Sequence, residues 1–541
     1  MGKFRSINLR RLAYPPLIIF IALYMLLGQV PISLHSAHFR SVLFLIGIVI
    51  IAIEVGRYYL KFYTNEIVAP PTITKVLIGI GALPIVLVIG ITIVNIFNGP
   101  IFRADDYSQL IQVEEKSFEE DYPEIDLNQI PLMDRDTAQR LGDRQLGSMN
   151  ELVSQFVTSD SYTQISIQDE PYRVTPLEYA SFIRWFNNRD TGIPAYLLVN
   201  MVSGEVEVVN VEEGMKYTDS EYFLRNVNLQ LYLKYPTTLF REPSFEVDDE
   251  GHPHYVATTY KNIFAFRQLE PDGVIVLDAV TGETEKYALS ETPNWIDRVY
   301  ASDIIIDQLD MTGLYNDGYL NSIFGQQGVR VTTDGYNYLS IGDDIFLYTG
   351  VTSVNSDASN IGFYLVNLRT KEGEYYPATS ADEFSAMASA EGEVQHTRYT
   401  STFPLLITIE GRPYYISSLK DESGLVRSYA LVDAQDYQDV TISNTMDELV
   451  MSVTGGETTE SDESDEVEEV TTEEELLDIT GTVENIEQAV VAGDTIYYFM
   501  IDGSVFKANI HLHDNLPFVE PGDEIEGQVN ESNEFKVINL N

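Results

Sequence analysis

The sequence of 541 residues contains no cysteine and only two tryptophans, and it is poor in basic residues. Without cysteine it can form no disulfide and perform no thiol chemistry, which suits an exported domain of a Gram-positive type of envelope that relies on packing. Only 33 lysines and arginines stand against 83 aspartates and glutamates, for a formal net charge of -50. A surface of this charge repels nucleic acid, so we predict no nucleic-acid partner.

Short motifs of the common enzyme classes are also missing. The sequence has no Gly-x-Ser-x-Gly, no P-loop and no dinucleotide-binding glycine fingerprint. A pair of carboxylates for glycoside cleavage cannot be identified from the sequence, because its 83 acidic residues allow many pairs and the sequence does not give the distance between them. We therefore predict a non-catalytic protein and keep a cell-wall or peptide hydrolase as an alternative.

Three apolar runs near the N-terminus, at about 16–34, 41–60 and 73–97, each have the ~20 residues that cross a bilayer as a helix. Residues 1–98 carry a net charge of +6 and the remainder -56. Basic residues concentrate before the first run and between the second and third, and this bias predicts a cytoplasmic N-terminus. We expect a multi-pass anchor over 1–98 and an extracellular remainder.

Glu54 lies well inside the second run, with Arg57 one helical turn later. An intramembrane carboxylate is costly and marks a candidate functional site, although a local pair with Arg57 is a sufficient structural reason for it. The third run is rich in small residues, which favours close packing on the other runs or on a partner protein.

The outer region divides by composition. We predict an acidic stalk over 99–150, a repeat region over 151–453, a flexible acidic linker over 454–477 and a small β-domain over 478–541. In the repeat region an apolar run ends at Asn or Asp and a turn follows, at Asn200, Asp278, Asn367 and Asp433. Each of these segments predicts a β-hairpin whose Asn or Asp side chain bonds the turn backbone. Their spacing is too long and too irregular for a solenoid, so it favours α+β modules.

The order of elements around these turns, a helix near 381–390, strands near 404–409 and 413–417 and a closing hairpin, resembles PepSY-type modules. The resemblance implies small α+β units of exported proteins, often associated with peptidase regulation or envelope assembly. The chain also resembles uncharacterised Gram-positive three-span membrane proteins, in the stretches 175–179, 188–194, 293–300 and 389–395. That resemblance implies no particular activity.

Five strand candidates follow the linker, at 480–491, 495–501, 504–512, 523–529 and 534–540. Five short strands in so few residues predict a small β-barrel, and this block resembles an OB-fold. It has too few basic side chains for a nucleic-acid groove, which leaves a protein or glycan contact or a purely structural use.

Two histidine pairs have the alternate spacing that places both rings on one face of a strand. His252 and His254 stand beside Asp248 and Asp249, so these four are the candidate ligands for a divalent cation. His511 and His513 form the second pair. Zinc normally takes three or four ligands, so the competing interpretation is that these histidines and aspartates are ordinary turn residues. We predict no other cofactor.

The predicted fold class is α+β: three N-terminal transmembrane helices, extracytoplasmic modules rich in antiparallel sheet and a C-terminal small β-barrel. The predicted function is a membrane-anchored binding or regulatory scaffold of the cell envelope. Its expected partners are other envelope or membrane proteins or a cell-wall glycan. An accessory subunit of a membrane protein complex, recruited through Glu54 and the third span, is a further alternative.

Overall fold

The computed structural model describes residues 9–63, 70–123, 130–354, 359–409, 411–454, 477–491, 494–501, 504–509, 516, 519, 521–529 and 535–540. The chain forms two compact units, Met1–Glu457 and Thr458–Asn541. The first contains the N-terminal helices and the repeat region, and the second is the C-terminal β-domain. The predicted linker lies almost wholly outside the described residues.

Three long helices open the chain: α1 (Leu9–Leu27), α2 (Ala37–Tyr63) and α3 (Thr72–Phe97). Each is long and apolar enough to cross a membrane, which confirms the three predicted apolar helices. Helices α2 and α3 approach closely at Gly47 and Gly81. A Cβ on Gly47 would lie 2.5 Å from the Gly81 carbonyl oxygen, so this crossing requires a residue without a side chain.

A short connecting segment follows, with α4 (Pro100–Tyr107), β1 (Val113–Glu115) and α5 (Phe118–Asp121). Ser117 caps α5, since its side chain accepts a hydrogen bond from the Glu120 N–H.

Residues 135–443 contain four copies of one α+β module, each with a helix followed by five antiparallel strands. The third strand is central in every copy. The first two strands pair with one of its edges, the fourth with the other edge, and the fifth with the fourth.

Modules 1 and 2 show this order, and module 1 has two additional short helices, one before its first strand and one between its third and fourth strands. Module 1 comprises α6 (Arg135–Ser148), α7 (Asn150–Val153), β2 (Phe156–Thr158), β3 (Thr163–Ile167), β4 (Glu170–Tyr179), α8 (Phe182–Asn188), β5 (Ile193–Asn200) and β6 (Val206–Met215). Module 2 comprises α9 (Val227–Lys234), β7 (Leu239–Phe240), β8 (Ser244–Val247), β9 (Pro253–Ile263), β10 (Gln268–Asp278) and β11 (Thr284–Ala288).

Modules 3 and 4 repeat the same order of one helix and five strands, and a last helix follows module 4. Module 3 comprises α10 (Ser302–Tyr315), β12 (Arg330–Thr332), β13 (Asn337–Ile341), β14 (Asp344–Ser353), β15 (Ser359–Asn367) and β16 (Gly373–Ala381). Module 4 comprises α11 (Glu383–Glu393), β17 (Thr400–Ser401), β18 (Leu405–Ile409), β19 (Arg412–Lys420), β20 (Val426–Asp433), β21 (Val440–Ser443) and then α12 (Met446–Thr454).

The predicted hairpin turns are confirmed in all four modules, where they join the fourth and fifth strands. Asn200, Asp278, Asn367 and Asp433 each accept hydrogen bonds at Oδ1 from the backbone N–H groups two and three residues later, at 2.7–3.0 Å. The side chain thus satisfies two turn donors that no strand partner reaches. The fourth copy, whose sequence has diverged most, keeps the same geometry.

Neighbouring modules share their hydrophobic cores. One core joins Ile165 and Leu197 of module 1 to Tyr255 of module 2. A second joins the other face of module 2 to module 3, and a third joins modules 3 and 4. Because each core needs side chains from two modules, the modules form one continuous array.

The segment expected to be a stalk is built into this array. Strand β1 pairs in parallel with β16, and Phe118 and Tyr122 pack in the core that modules 3 and 4 share. Helix α6, at the end of the same segment, is the helix of module 1.

The tip of the β9–β10 hairpin contacts the N-terminal helices. The Asn262 side chain donates to the His35 carbonyl (2.8 Å), in the connection between α1 and α2. Near the end of α3, Asn95 accepts hydrogen bonds from the Phe266 N–H (3.1 Å) and from Arg267 (3.2 Å). Module 2 is thereby attached to both connections on one side of the helices.

The C-terminal unit is a five-stranded antiparallel sheet in the order β24-β23-β22-β25-β26. Its strands are β22 (Leu477–Val491), β23 (Asp494–Ile501), β24 (Ser504–Asn509), β25 (Glu524–Val529) and β26 (Phe535–Leu540). The five predicted strands are present, but over the described residues of this unit the edge strands are not paired, so no closed barrel is found. The rings of Phe506 on β24 and Phe535 on β26 are 5.9 Å apart, within one core.

Candidate functional site

A polar cleft of about 740 Å³ lies among the first three modules, and we call it the central cleft. Its basic residues come from three places in the sequence: Arg135 begins α6, Arg241 follows β7, and Arg298 precedes α10. Glu178 and Asp219 are among the acidic residues on its walls. The cleft therefore presents both signs of charge, in a molecule whose surface is otherwise strongly acidic.

The three arginines are held in place by different partners. Arg241 donates to both carboxylate oxygens of Asp303 at 2.7 and 2.8 Å, and Arg298 donates to the Tyr338 hydroxyl at 2.9 Å. Arg135 donates to the Asp160 carbonyl. Arg135 and Arg298 have no carboxylate partner within 4.0 Å among the described residues, so their positive charge is available to a ligand in the cleft.

Asp219 is the acidic residue in the cleft whose protonation is most affected by its surroundings. Burial, together with repulsion from the nearby Glu242 and Glu178 carboxylates, raises its pKa to about 7. The Asn228 side chain donates to its Oδ1 at 3.0 Å. A carboxyl group that titrates near neutrality in a cleft can exchange a proton with a bound ligand.

Two further carboxyl groups, Glu246 and Asp297, are buried near the cleft. Ser244, which lines the cleft, donates to Glu246 Oε1, while Glu246 Oε2 has no hydrogen-bond partner among the described residues. Asp297 Oδ2 accepts the Ser166 N–H at 2.7 Å. Burial raises the pKa of Glu246 to about 7 and that of Asp297 to about 8, so Glu246 titrates near neutrality and Asp297 favours the protonated form there.

Three of the four residues predicted as metal ligands lie together at the β8–β9 turn. Asp248 Oδ2 is 3.1 Å from His254 Nε2 and 3.5 Å from His252 Nδ1, whereas Asp249 is exposed outside this cluster. Asp248 Oδ1 accepts the backbone N–H groups of Glu250 and His252, as in an ordinary turn. The described residues contain no group of three or more side chains arranged to hold a metal ion.

The environment of His254 is set by packing. Its ring stacks on Trp295, with centroids 5.0 Å apart, and its Nδ1 is buried. The other predicted pair, His511 and His513, lies outside the described residues.

The intramembrane pair is part of a larger polar cluster that joins all three helices. Glu54 is fully buried and accepts hydrogen bonds from Arg10 at 2.8 and 2.5 Å and from the Tyr14 hydroxyl at 3.0 Å. Arg57 is more distant, at 3.6 Å, and Thr74 on α3 accepts from Arg10 at 3.1 Å. Sequence reasoning identified Glu54 and Arg57 but missed Arg10 as the main partner.

Sequence reasoning also missed the cleft residues. No local signal distinguishes Asp219 or Asp297 among 83 acidic residues, because their burial comes from modules that meet in the folded chain. Glu246 had no useful signal either. It lies between Phe245 and Val247 in a strand, an alternation that predicts a carboxylate facing solvent, whereas all three side chains are buried.

No known family model matches the chain, and no curated protein sequence matches it. Solved structures with a weak likeness include a Synechocystis apocarotenoid oxygenase mutant and the cobalt-substituted Synechocystis enzyme, at 9% and 8% identity, each with a TM-score of 0.13. Both alignments cover 52% of this chain and 53% of the other. The chain thus spans about half the length of these structures, and a likeness of this size carries no functional argument.

Proposed function

We propose that the protein is a membrane-anchored extracytoplasmic scaffold of the cell envelope that binds or regulates another envelope component without catalysis of its own. The N-terminus lies in the cytoplasm and the module array outside the cell. The basic flanks of α1 and of the α2–α3 connection support this orientation. The PepSY-like interpretation of the modules and the OB-like interpretation of the C-terminal sheet belong to the same proposal.

The central cleft is the observation that carries this proposal. Its walls come from modules that share hydrophobic cores, and its arginines can supply bidentate hydrogen-bond donors that suit carboxylates. A peptide segment of a partner protein presents both charges and fits a cleft of about 740 Å³. The acidic exterior repels other anionic molecules, which favours a partner that is basic around the segment it inserts.

The deciding experiment is cross-linking in intact cells, followed by detergent purification of the full-length protein and mass spectrometry of the captured material. Arg135→Glu reverses one of the two cleft charges that have no carboxylate partner among the described residues, and Arg184→Glu reverses an exposed charge on α8 as a matched control. We expect a reproducible partner that is lost with Arg135→Glu and retained with Arg184→Glu. A partner that persists when residues 150–541 are removed would instead support an accessory subunit held through the anchor.

The second candidate function is a hydrolase that uses carboxylates, and Asp219 is the observation that favours it. A carboxyl with a pKa of about 7 beside Glu178 and Glu242 has the properties of a general acid. Cell-wall zymography and casein cleavage, compared for the purified protein and Asp219→Asn, test this candidate. Activity that Asp219→Asn abolishes would support it, and a clean negative for the unmodified protein would exclude these two substrates.

A further inference from the structure

Arg173 on β4 is a buried cation without a carboxylate partner. Its side chain is 8% exposed, and among the described residues no carboxylate oxygen lies within 4.0 Å of it. Its guanidinium has five N–H donors, yet its hydrogen bonds are long: Nε to the Met133 carbonyl at 3.5 Å and Nη1 to the Tyr162 carbonyl at 3.4 Å. Buried arginines are normally paired, so this one lacks a counter-charge.

The surroundings of Arg173 make this charge more costly. Burial, together with repulsion from Arg298, lowers its pKa to about 10. Gln164 is the residue directly opposite on β3, and its side chain is fully buried with neither amide atom hydrogen-bonded within the described part of the chain. The buried face of the β3–β4 pair thus carries polar groups that the chain does not satisfy by itself.

A cavity of about 250 Å³ opens beside Arg173, and we call it the arginine pocket. Its walls combine aromatic and aliphatic side chains, among them Tyr336, Tyr338, Phe403 and Leu405, with the polar side chains of Asp134, Asn337 and Thr402. Tyr336 is 43% exposed, so the pocket can be reached from solvent. Its volume suits a small organic ion and is too small for a nucleotide cofactor.

The charged groups at the pocket do not neutralise Arg173. Asp134 lines the same pocket, but its carboxylate is already bonded to Lys420 and to the Thr137 N–H. Arg298 approaches from the central cleft through its hydrogen bond to Tyr338. The local charge is therefore positive, in an outer region whose net charge is -56.

We propose that the arginine pocket is a binding site for a small carboxylate, held by the Arg173 guanidinium with its apolar or aromatic body against Tyr336 and Phe403. A carboxylate matches the planar donor fork of arginine and supplies the single negative charge that the site lacks. The carboxylate can belong to a free organic acid or to the C-terminal residue of a peptide. This site is separate from the central cleft and does not depend on the function proposed for it.

Isothermal titration calorimetry of the full-length protein in detergent tests the proposal with benzoate and, as the uncharged control, benzamide. A dipeptide ending in phenylalanine, with a free or an amidated C-terminus, distinguishes a peptide source from a free acid. We expect the carboxylates to bind and the amides not to bind. Loss of a charge-assisted bidentate contact in Arg173→Gln should weaken carboxylate binding by at least about tenfold. Arg184→Gln, which removes an exposed charge from the same module, should leave it unchanged.

A second variant keeps the test decisive if Arg173→Gln does not fold. Tyr336→Glu places a carboxylate at the exposed mouth of the pocket and should abolish binding while the protein keeps its thermal transition. Equal binding of acids and amides, no binding of any carboxylate, or undiminished binding by a folded Arg173→Gln or Tyr336→Glu protein would overturn the proposal.

Discussion

Most acidic residues of this protein lie in solvent, but folding buries a few of them. Asp297 is 1% exposed, and Glu246, whose charge also disfavours ionisation of Asp297, is fully buried. A buried carboxyl holds its proton more tightly than the unfolded chain does. Such groups therefore oppose folding at the higher end of the pH range, in contrast with carboxylates in ion pairs.

Replacing Asp297 by Asn should stabilise the protein at alkaline pH. The pKa rises from 3.8 in the unfolded chain to about 8 in the folded state, so stability from this group is lost as pH rises across that window. Asn keeps an acceptor for the Ser166 N–H and cannot ionise. We expect a gain on the order of 2 kcal/mol or more at pH 8 and little change at pH 4, measured by chemical unfolding. Asp190→Asn, at a side chain 86% exposed, is the control, and an equal response of both variants would contradict the argument.

Glu54 shows how residue chemistry extends across elements. Its carboxylate is neutralised by Arg10 at the start of α1, 44 residues away, and more weakly by Arg57 on its own helix. Residues of the same chain thus neutralise a charge that the membrane interior disfavours. A structural role in joining the three helices is therefore sufficient to explain this residue.

Among the elements, the hairpin turns that close each module have the clearest link between sequence and geometry. At Asp278 the carboxylate accepts two backbone N–H groups, and Gly282 adopts a φ of +73° four residues later. A Cβ at Gly282 would meet the Tyr217 ring at 2.4 Å, so both conformation and space require glycine there.

Asp278→Ala should destabilise module 2 by about 1–2 kcal/mol, because two turn donors lose their acceptor. Asp278→Asn retains an acceptor oxygen at the same position and should cost much less. Unfolding by urea, followed by far-ultraviolet circular dichroism, measures both variants. If the Asn variant were as unstable as the Ala variant, charge and not hydrogen bonding would be responsible.

At the scale of the whole molecule, the β9–β10 hairpin connects the module array to the N-terminal helices. Asn95 accepts two hydrogen bonds from this hairpin, and Arg40 and His35 lie against the Phe266 ring at 5.3 and 5.4 Å. These contacts limit the orientations that the array can take relative to the helices.

Asn95→Ala should loosen this attachment without unfolding either part. Because the chain has no cysteine, spin labels at Leu34→Cys and Thr281→Cys report one distance distribution by pulsed electron paramagnetic resonance. We expect a broader distribution in Asn95→Ala, since the Phe266 N–H loses its side-chain acceptor while the Asn95 backbone carbonyl still accepts from Arg267. Thr92→Ala, whose hydroxyl bonds only within α3, is the control and should match the unmodified protein.

The sequence by itself determined the features that depend on near neighbours along the chain. The three apolar helices follow from long apolar runs, the hairpins at Asn200 and Asp278 from turn chemistry within a few residues, and the strands of the C-terminal unit from alternation and turns. Each of these signals lies within one element, where side-chain periodicity and backbone preference act locally.

Only the tertiary structure decided which distant residues meet. It paired Arg10 with Glu54, and it packed the segment at 99–150, which was predicted as a stalk, against the modules. It also left the C-terminal sheet without a closed barrel over its described residues. It buried Asp297 and Arg173 and placed Asp219 on the wall of the central cleft. The physical reason is that burial and charge pairing arise where shared cores bring surfaces together, and the sequence of one element does not show which other element it will contact.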